Sequence, residues 1–221
     1  MEKIYISIEL CSETIFGSGE SVPGYVDSEV LHDDNGLPYL KGKTFKGKLR
    51  EEAENIVFYI KSSNKVLGKK SEEGVISLFG REGVENPNAL RFSDCTMGSE
   101  IIDSIRFGIS KGMFNNNEVL NSMTSVRSFT SIDDDGIARN GSLRQVRVVN
   151  KGFILKCDLN VSRKLEEEEI ELLCAAVSSL RHLGTMESRG KGEVICLLFV
   201  NGENVTRQYL KSFEKKVKLN G

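Results

Sequence analysis
The sequence predicts an α+β domain built on a single ferredoxin-like (RRM-like) core that is interrupted by a long insertion. Three observations carry this expectation. Apolar residues alternate at the start of the chain and again in its last third, helical periods follow each of these stretches, and residues 98–150 keep no regular period. The resulting order is β, α, β, insertion, β, α, β, the split arrangement of a ferredoxin-like sheet. At 221 residues the chain is long enough for one sizeable core, so we expect a single domain over residues 1–221 with the insertion at 98–150.

In chain order, Ile4, Ile6, Ile8 and Leu10 alternate with Tyr5, Ser7 and Glu9, the period of a half-buried strand. Phe16-Gly17-Ser18-Gly19 then opens a loop. Phe45, Leu49, Ala53, Ile56 and Ile60 recur at steps of three and four, one face of a helix, while Lys43, Lys46 and Arg50 fall on another. Residues 62–88 are polar and glycine-rich and read as a loop with a short helical piece at Leu78-Phe79-Gly80; residues 89–95 read as a second strand. The insertion is rich in Ser, Asn, Asp and Arg, and a loop of that length in a compact domain is usually functional.

Phe153, Leu155, Cys157, Leu159 and Val161 alternate as a further strand. Residues 165–183 carry four glutamates at their start, an apolar face of Ile170, Leu173, Val177 and Leu180, and Gly184 at the end, as the charge and cap preferences of a helix require. Residues 192–200 are apolar throughout and predict a central strand, and residues 207–221 form a basic amphipathic tail.

Composition narrows the function classes. A net charge of −2 excludes a globally basic nucleic-acid binder but not a local basic groove, because the field depends on where charges lie. Five scattered cysteines without a Cys-x-x-Cys pair suit reduced thiols, and two histidines make a zinc site improbable; His32 and His182 read as structural. No apolar run approaches a membrane span and Met1-Glu2-Lys3 leads straight into a strand pattern, so the expectation is a cytoplasmic protein.

Two stretches have the chemistry to hold a phosphate backbone. Between Lys41 and Arg50 there are five cations and no acid, at the start of a helix whose first N–H groups lack intrahelical partners. Lys41, Lys43, Thr44, Lys46 and Arg50 are therefore candidate contacts to a nucleic-acid backbone, against the plainer reading of a solvated lysine face. The second stretch, residues 184–192, is glycine-rich and supplies donors from Ser188, Arg189 and Lys191. It is not a P-loop. Its glycine spacing is one residue too long, Gly192 stands where a magnesium-binding hydroxyl is needed, and it leaves a helix to enter a strand.

The run Leu37-Pro38-Tyr39-Leu40-x-Gly42-x-Thr44-Phe45-Lys46-Gly47-x-Leu49-Arg50 resembles the hallmark of the RAMP superfamily, the RNA-binding subunits of type III CRISPR effector complexes. Ser77-Leu78-Phe79-Gly80, Ser125-Val126-Arg127-Ser128-Phe129-Thr130 and the 184–192 loop fit the same family in the same order. Where family members often have Pro-Gly-Ser-Ser, this chain has Lys41-Gly42-Lys43-Thr44, with added cations. The resemblance is greatest to the repeated backbone subunit. It implies a protein that coats the guide RNA, binds a complementary target RNA, stacks on copies of itself in a filament and joins other subunits of the complex.

Three further expectations come from that resemblance. The segment Gly24-Tyr25-Val26-Asp27-Ser28-x-Val30 resembles the loop bearing the catalytic aspartate of target cleavage, so Asp27 is the candidate catalytic residue and the candidate ligand of a divalent cation, Mg²⁺ or Mn²⁺. On turn statistics alone a lone Asp in such a loop forms a turn. The insertion corresponds to a thumb-like hairpin that wedges into the guide–target duplex. Arg127, Arg139 and Arg144 are its candidate RNA contacts, and Phe129, Ile132 and Ile137 its wedge residues; Arg147 lies in the same stretch, around an acidic Asp133-Asp134-Asp135 turn. The alternatives are a catalytically silent guide-RNA scaffold, with Asp27 a turn residue, and a guide-precursor processing endoribonuclease. The last commonly uses a histidine-centred site on two tandem cores, and here histidine is scarce and one core fits.

Overall fold
In the computed structural model, residues 2–81, 83–84 and 86–219 are described. The chain runs β1 (Ile4–Leu10), α1 (Gly42–Ser63), α2 (Lys65–Phe79), β2 (Arg91–Phe92), α3 (Ser99–Ser110), α4 (Asn116–Met123), β3 (Thr124–Phe129), β4 (Arg144–Val149), β5 (Ile154–Asn160), α5 (Glu167–Ser179), β6 (Val194–Val200), β7 (Glu203–Asn204) and α6 (Thr206–Leu219). The main sheet has the order β2-β5-β1-β6-β7 and is antiparallel throughout. Without the two-residue β7, this is the strand order of a ferredoxin-like sheet, and the expected α+β core is borne out.

The alternation in β1 sets the layering. Ile4, Ile6, Ile8 and Leu10 are buried with Phe45, Leu49 and Ala53 of α1 and Leu173 and Val177 of α5 in one core. On the other face Tyr5 stacks on Phe199 with ring centroids 4.8 Å apart, and the Lys156 ammonium lies over the Tyr5 ring. α1 packs on α2 and α5, and α6 closes the layer by packing on α5. The basic tail thus becomes a docked helix, with Tyr209 and Phe213 against the core and Lys216 paired with the buried Glu171 at 2.8 Å. No described helix is long and apolar enough to cross a membrane. The five cysteines are free thiols, four of them buried.

Four segments differ from expectation. Most of 62–88 is helical. Asn64 ends α1 and caps α2, its side chain accepting from the N–H groups of Val66 and Leu67 at 3.0 and 2.9 Å. The glycines that made this stretch read as a loop are close-packing positions: a Cβ on Gly68 would sit 2.8 Å from the Lys61 Cα, and one on Gly74 3.2 Å from Leu172. The expected strand at 89–95 shortens to Arg91–Phe92, continued by isolated bridges from Cys95 to Leu40 and from Thr96 to Lys156. The insertion is not aperiodic. It holds α3, which packs on the core through Ile102, Ile105 and Ile109, then α4, opened by an Asn115–Glu118 capping box, then the hairpin β3–β4. β6 lies between β1 and the two-residue β7, but the middle strand is β1, and Ile195 of β6 is 45% exposed on the open face.

Candidate nucleic-acid interface
The β3–β4 hairpin is where two parts of the sequence-predicted site, the Asp27 loop and the glycine-rich loop, come together. The Asp27 loop runs along the edge of β4. The Asp27 N–H donates to the Gln145 carbonyl at 2.8 Å, and the Gln145 N–H donates to Asp27 Oδ2 at 2.7 Å. Ser28 continues alongside Val146 in a parallel bridge, and the Arg147 N–H donates to the Ser28 carbonyl at 3.0 Å. The Asp27 side chain is exposed, so its carboxylate is braced by β4 through one oxygen while it faces solvent.

The glycine-rich loop reaches the same hairpin through residues 13–15. Thr14 bridges to Val149, the Thr185 N–H donates to the Ile15 carbonyl at 3.2 Å, and the Gly192 N–H donates to the Glu13 carbonyl at 2.9 Å. Ile15, Val146 and Val148 form a small buried cluster with Phe129 and Met186 packed against it. Arg127 and Lys191, far apart in sequence, share one carboxylate here: Lys191 Nζ is 2.5 Å from Glu13 Oε2, and Arg127 Nε donates to Glu13 Oε1 at 2.9 Å. The Arg189 guanidinium lies 5.7 Å from the Phe129 ring centroid, and Ser188 is exposed within a 3₁₀ turn over Glu187–Arg189.

Sequence reasoning missed Glu13, which carries no motif. The Arg127 hydrogen bond, with Lys191 beside it, holds its carboxyl at about 2 instead of 4.5. Because the folded-state value is depressed, the triad's contribution to stability is complete above the ordinary value and is lost as pH falls from 4.5 towards 2. In urea denaturation, Glu13→Gln should be less stable than the unaltered chain at pH 6, and the difference should shrink steadily below pH 4.5. A difference constant with pH would refute the triad.

The cations at the start of α1 are placed differently. The Gly42 N–H, first of the helix, donates to Asp94 Oδ1 at 2.8 Å, so one of the free donors expected for a phosphate is already satisfied within the chain. Lys46 Nζ donates to the Leu90 carbonyl at 3.1 Å near the Phe92 ring, and burial pushes its ammonium pKa down, with Arg50 adding repulsion. Arg50 pairs with Glu54 at 2.6 Å. Lys41, Lys43 and Thr44 are exposed. The glycine-rich loop approaches α1 farther along: burial raises the Glu52 pKa, with neighbouring Glu51 and the charge of Glu187 adding to it.

Along the hairpin, Arg144 is exposed opposite Phe129, and Arg139 is exposed near the tip. Ile132 and Ile137 are each 65% exposed there. The acidic triplet is a turn: Asp133 Oδ1 accepts from the N–H groups of Ile137 at 2.9 Å and Asp135 at 3.2 Å. The same construction occurs at Asp33, whose Oδ1 accepts from Asn35 and Leu37, both at 2.9 Å. His32 Nδ1 lies 3.0 Å from the Asp33 carbonyl, and His182 bridges to Glu193.

Among the described residues no group of three or more His, Cys, Asp or Glu is arranged to hold a metal. Asp27 therefore belongs to no such group. That fits a Mg²⁺ ion held mainly by substrate phosphates, which commonly takes only one or two protein carboxylates.

The chain thus combines a ferredoxin-like sheet with a hairpin that holds an exposed, braced acid and a nearby cation cluster. The sequence model of the RAMP superfamily matches residues 7–195, and the chain belongs to that superfamily. Comparison with curated proteins yields no match. Among solved structures, a chain of the type III-B Cmr-beta complex bound to cognate target RNA is similar at TM-score 0.59 and 14% identity, covering 95% of this chain and 99% of that one. A chain of the apo Cmr-beta complex is similar at TM-score 0.60 and 16% identity, covering 89% and 96%. At these identities the likeness is one of fold.

Proposed function
We propose that this chain is a backbone subunit of a type III CRISPR ribonucleoprotein of the cytoplasm, which coats the guide RNA, stacks on copies of itself and other subunits, and cuts the bound target RNA. Superfamily membership and the end-to-end likeness to Cmr-beta chains support the subunit reading. The observation that carries the cleavage reading is the exposed Asp27 carboxylate braced by Gln145 of the hairpin.

Guide RNA is held without regard to sequence. Lys41, Lys43 and Thr44 offer exposed donors to its phosphates, as do Arg139, Arg144, Ser188 and Arg189. Lys46, Arg50, Arg127 and Lys191 first exchange an internal partner for phosphate. A nucleotide displaced by the hairpin presents its 2′-hydroxyl and the adjacent phosphate to Asp27. The free carboxylate oxygen orients that hydroxyl and accepts its proton as the 2′-oxygen attacks phosphorus in line, forming a 2′,3′-cyclic phosphate as the P–O5′ bond breaks and the departing 5′-oxygen takes a proton from water. A divalent cation, when bound, offsets charge developing on the phosphate.

The test is the assembled complex with guide RNA and a labelled complementary target, with Mg²⁺ or Mn²⁺ supplied. Asp27→Ala should lower the single-turnover cutting rate by about 100-fold or more while target affinity holds. Equal cutting by the variant would place the chemistry elsewhere. A second reading, a silent scaffold, is favoured by the Gln145 bond, which makes Asp27 a brace between loop and hairpin. Target bound but uncut by either form would establish it.

A further inference from the structure
Arg147 is the buried charge that the RNA-contact reading leaves unused. It is 5% exposed, in β4, two residues after Gln145. Its Nε lies 2.8 Å from Glu29 Oε1 and 3.1 Å from Oε2, and Glu29 is itself 5% exposed. Its Nη1 donates to Asn121 Oδ1 and Thr124 Oγ1, each at 3.0 Å, and the Tyr25 ring lies 5.5 Å from the guanidinium carbon. Glu29 Oε1 in turn accepts from the Val30 N–H at 2.9 Å.

These partners come from three places. Tyr25 and Glu29 lie two residues to either side of Asp27, Asn121 is in α4, and Thr124 begins β3. One guanidinium thus joins both flanks of the Asp27 loop to both limbs of the hairpin and to the helix before it. Backbone bonds between 27–28 and 145–147 join the same two segments. A buried pair is costly to form and conformationally demanding, so it holds one arrangement of loop and hairpin in preference to slipped ones.

We infer that Arg147 is a positioning residue: through Glu29 and Tyr25 it locks the Asp27 loop to the hairpin, so that the carboxylate is aimed only where the hairpin is seated on target RNA. The inference rests on Asp27 acting in cleavage, and it adds that hairpin and carboxylate move as one body. It also explains why an exposed loop residue can be held to the tolerance that in-line attack demands, since a misplacement of about 1 Å costs up to about 100-fold in rate.

The test uses a double variant, Glu29→Met with Arg147→Met, because removing one member alone strands a buried charge and endangers folding, whereas removing both does not. In the assembled complex, the single-turnover cutting rate at saturating target should fall by about 30-fold while target affinity stays within about 3-fold. Hydrogen exchange at residues 25–30 should quicken by about 10-fold or more, with the main sheet unchanged. An unaltered rate, or rate and affinity falling together, would overturn the positioning role. If the unaltered complex binds target but does not cut, the Asp27 reading fails and exchange decides the lock by itself: faster exchange sustains it and equal exchange ends it.

Discussion

Phe45→Ala should destabilise the protein by about 3–5 kcal/mol, enough to lower the denaturant midpoint severely or unfold the chain at 37 °C. Phe45 has no exposed surface and meets Phe92 edge-on at 6.1 Å, and Phe92 in turn stacks on Phe79 at 6.2 Å. This row of rings joins the first turn of α1 to the end of α2 and the edge strand β2. Its loss leaves a cavity beneath Lys46, whose ammonium is held on the Leu90 carbonyl near the same Phe92 ring. Phe45→Leu, which refills most of the volume, should recover more than half of the loss. A change below about 1 kcal/mol on Phe45→Ala would show that the row does not anchor the helix start.

Gly192→Ala should cost about 3 kcal/mol, combining overpacking with left-handed strain. Gly192 has φ +79°, and a Cβ there would stand 2.2 Å from the Leu183 carbonyl oxygen. Relief requires the glycine-rich loop to move away from Leu183 in the segment that follows α5, and Lys191 would leave Glu13 with it. Gly190 supplies the control, because it also has positive φ, +69°, but no atom lies within 4 Å of its Cβ position. Gly190→Ala should therefore cost about 1–2 kcal/mol. Thermal melting of both variants separates the terms. Equal losses would mean that the Leu183 contact contributes nothing.

Much of the fold was legible because its signals are local. β1, β5, α1 and α5 each carry their own period, and a period needs only a dozen neighbouring residues to be read. α2 was hidden because Gly68 and Gly74 carry the composition of a loop, and only a partner helix reveals them as contact points. The central place of β1 was hidden as well, since strand order is a property of pairing: Ile6 lies opposite both Cys157 and Leu198. In the insertion, local signals existed in the Asn115–Glu118 capping box and the 102, 105, 109 spacing of isoleucines, and the surrounding polar residues masked them.

By itself the sequence determined the class of core, the superfamily resemblance and the residues of the proposed phosphate contacts and acid, all of which are written in short contiguous runs. Only the tertiary structure decided what those residues touch. Glu13 lies 114 positions from Arg127 and 178 from Lys191, and Glu29 lies 118 from Arg147. No local pattern specifies such pairs. They arise where β4 is laid beside the Asp27 loop and the glycine-rich loop returns past residues 13–15, and there burial and charge pairing make each partner's position depend on the whole chain.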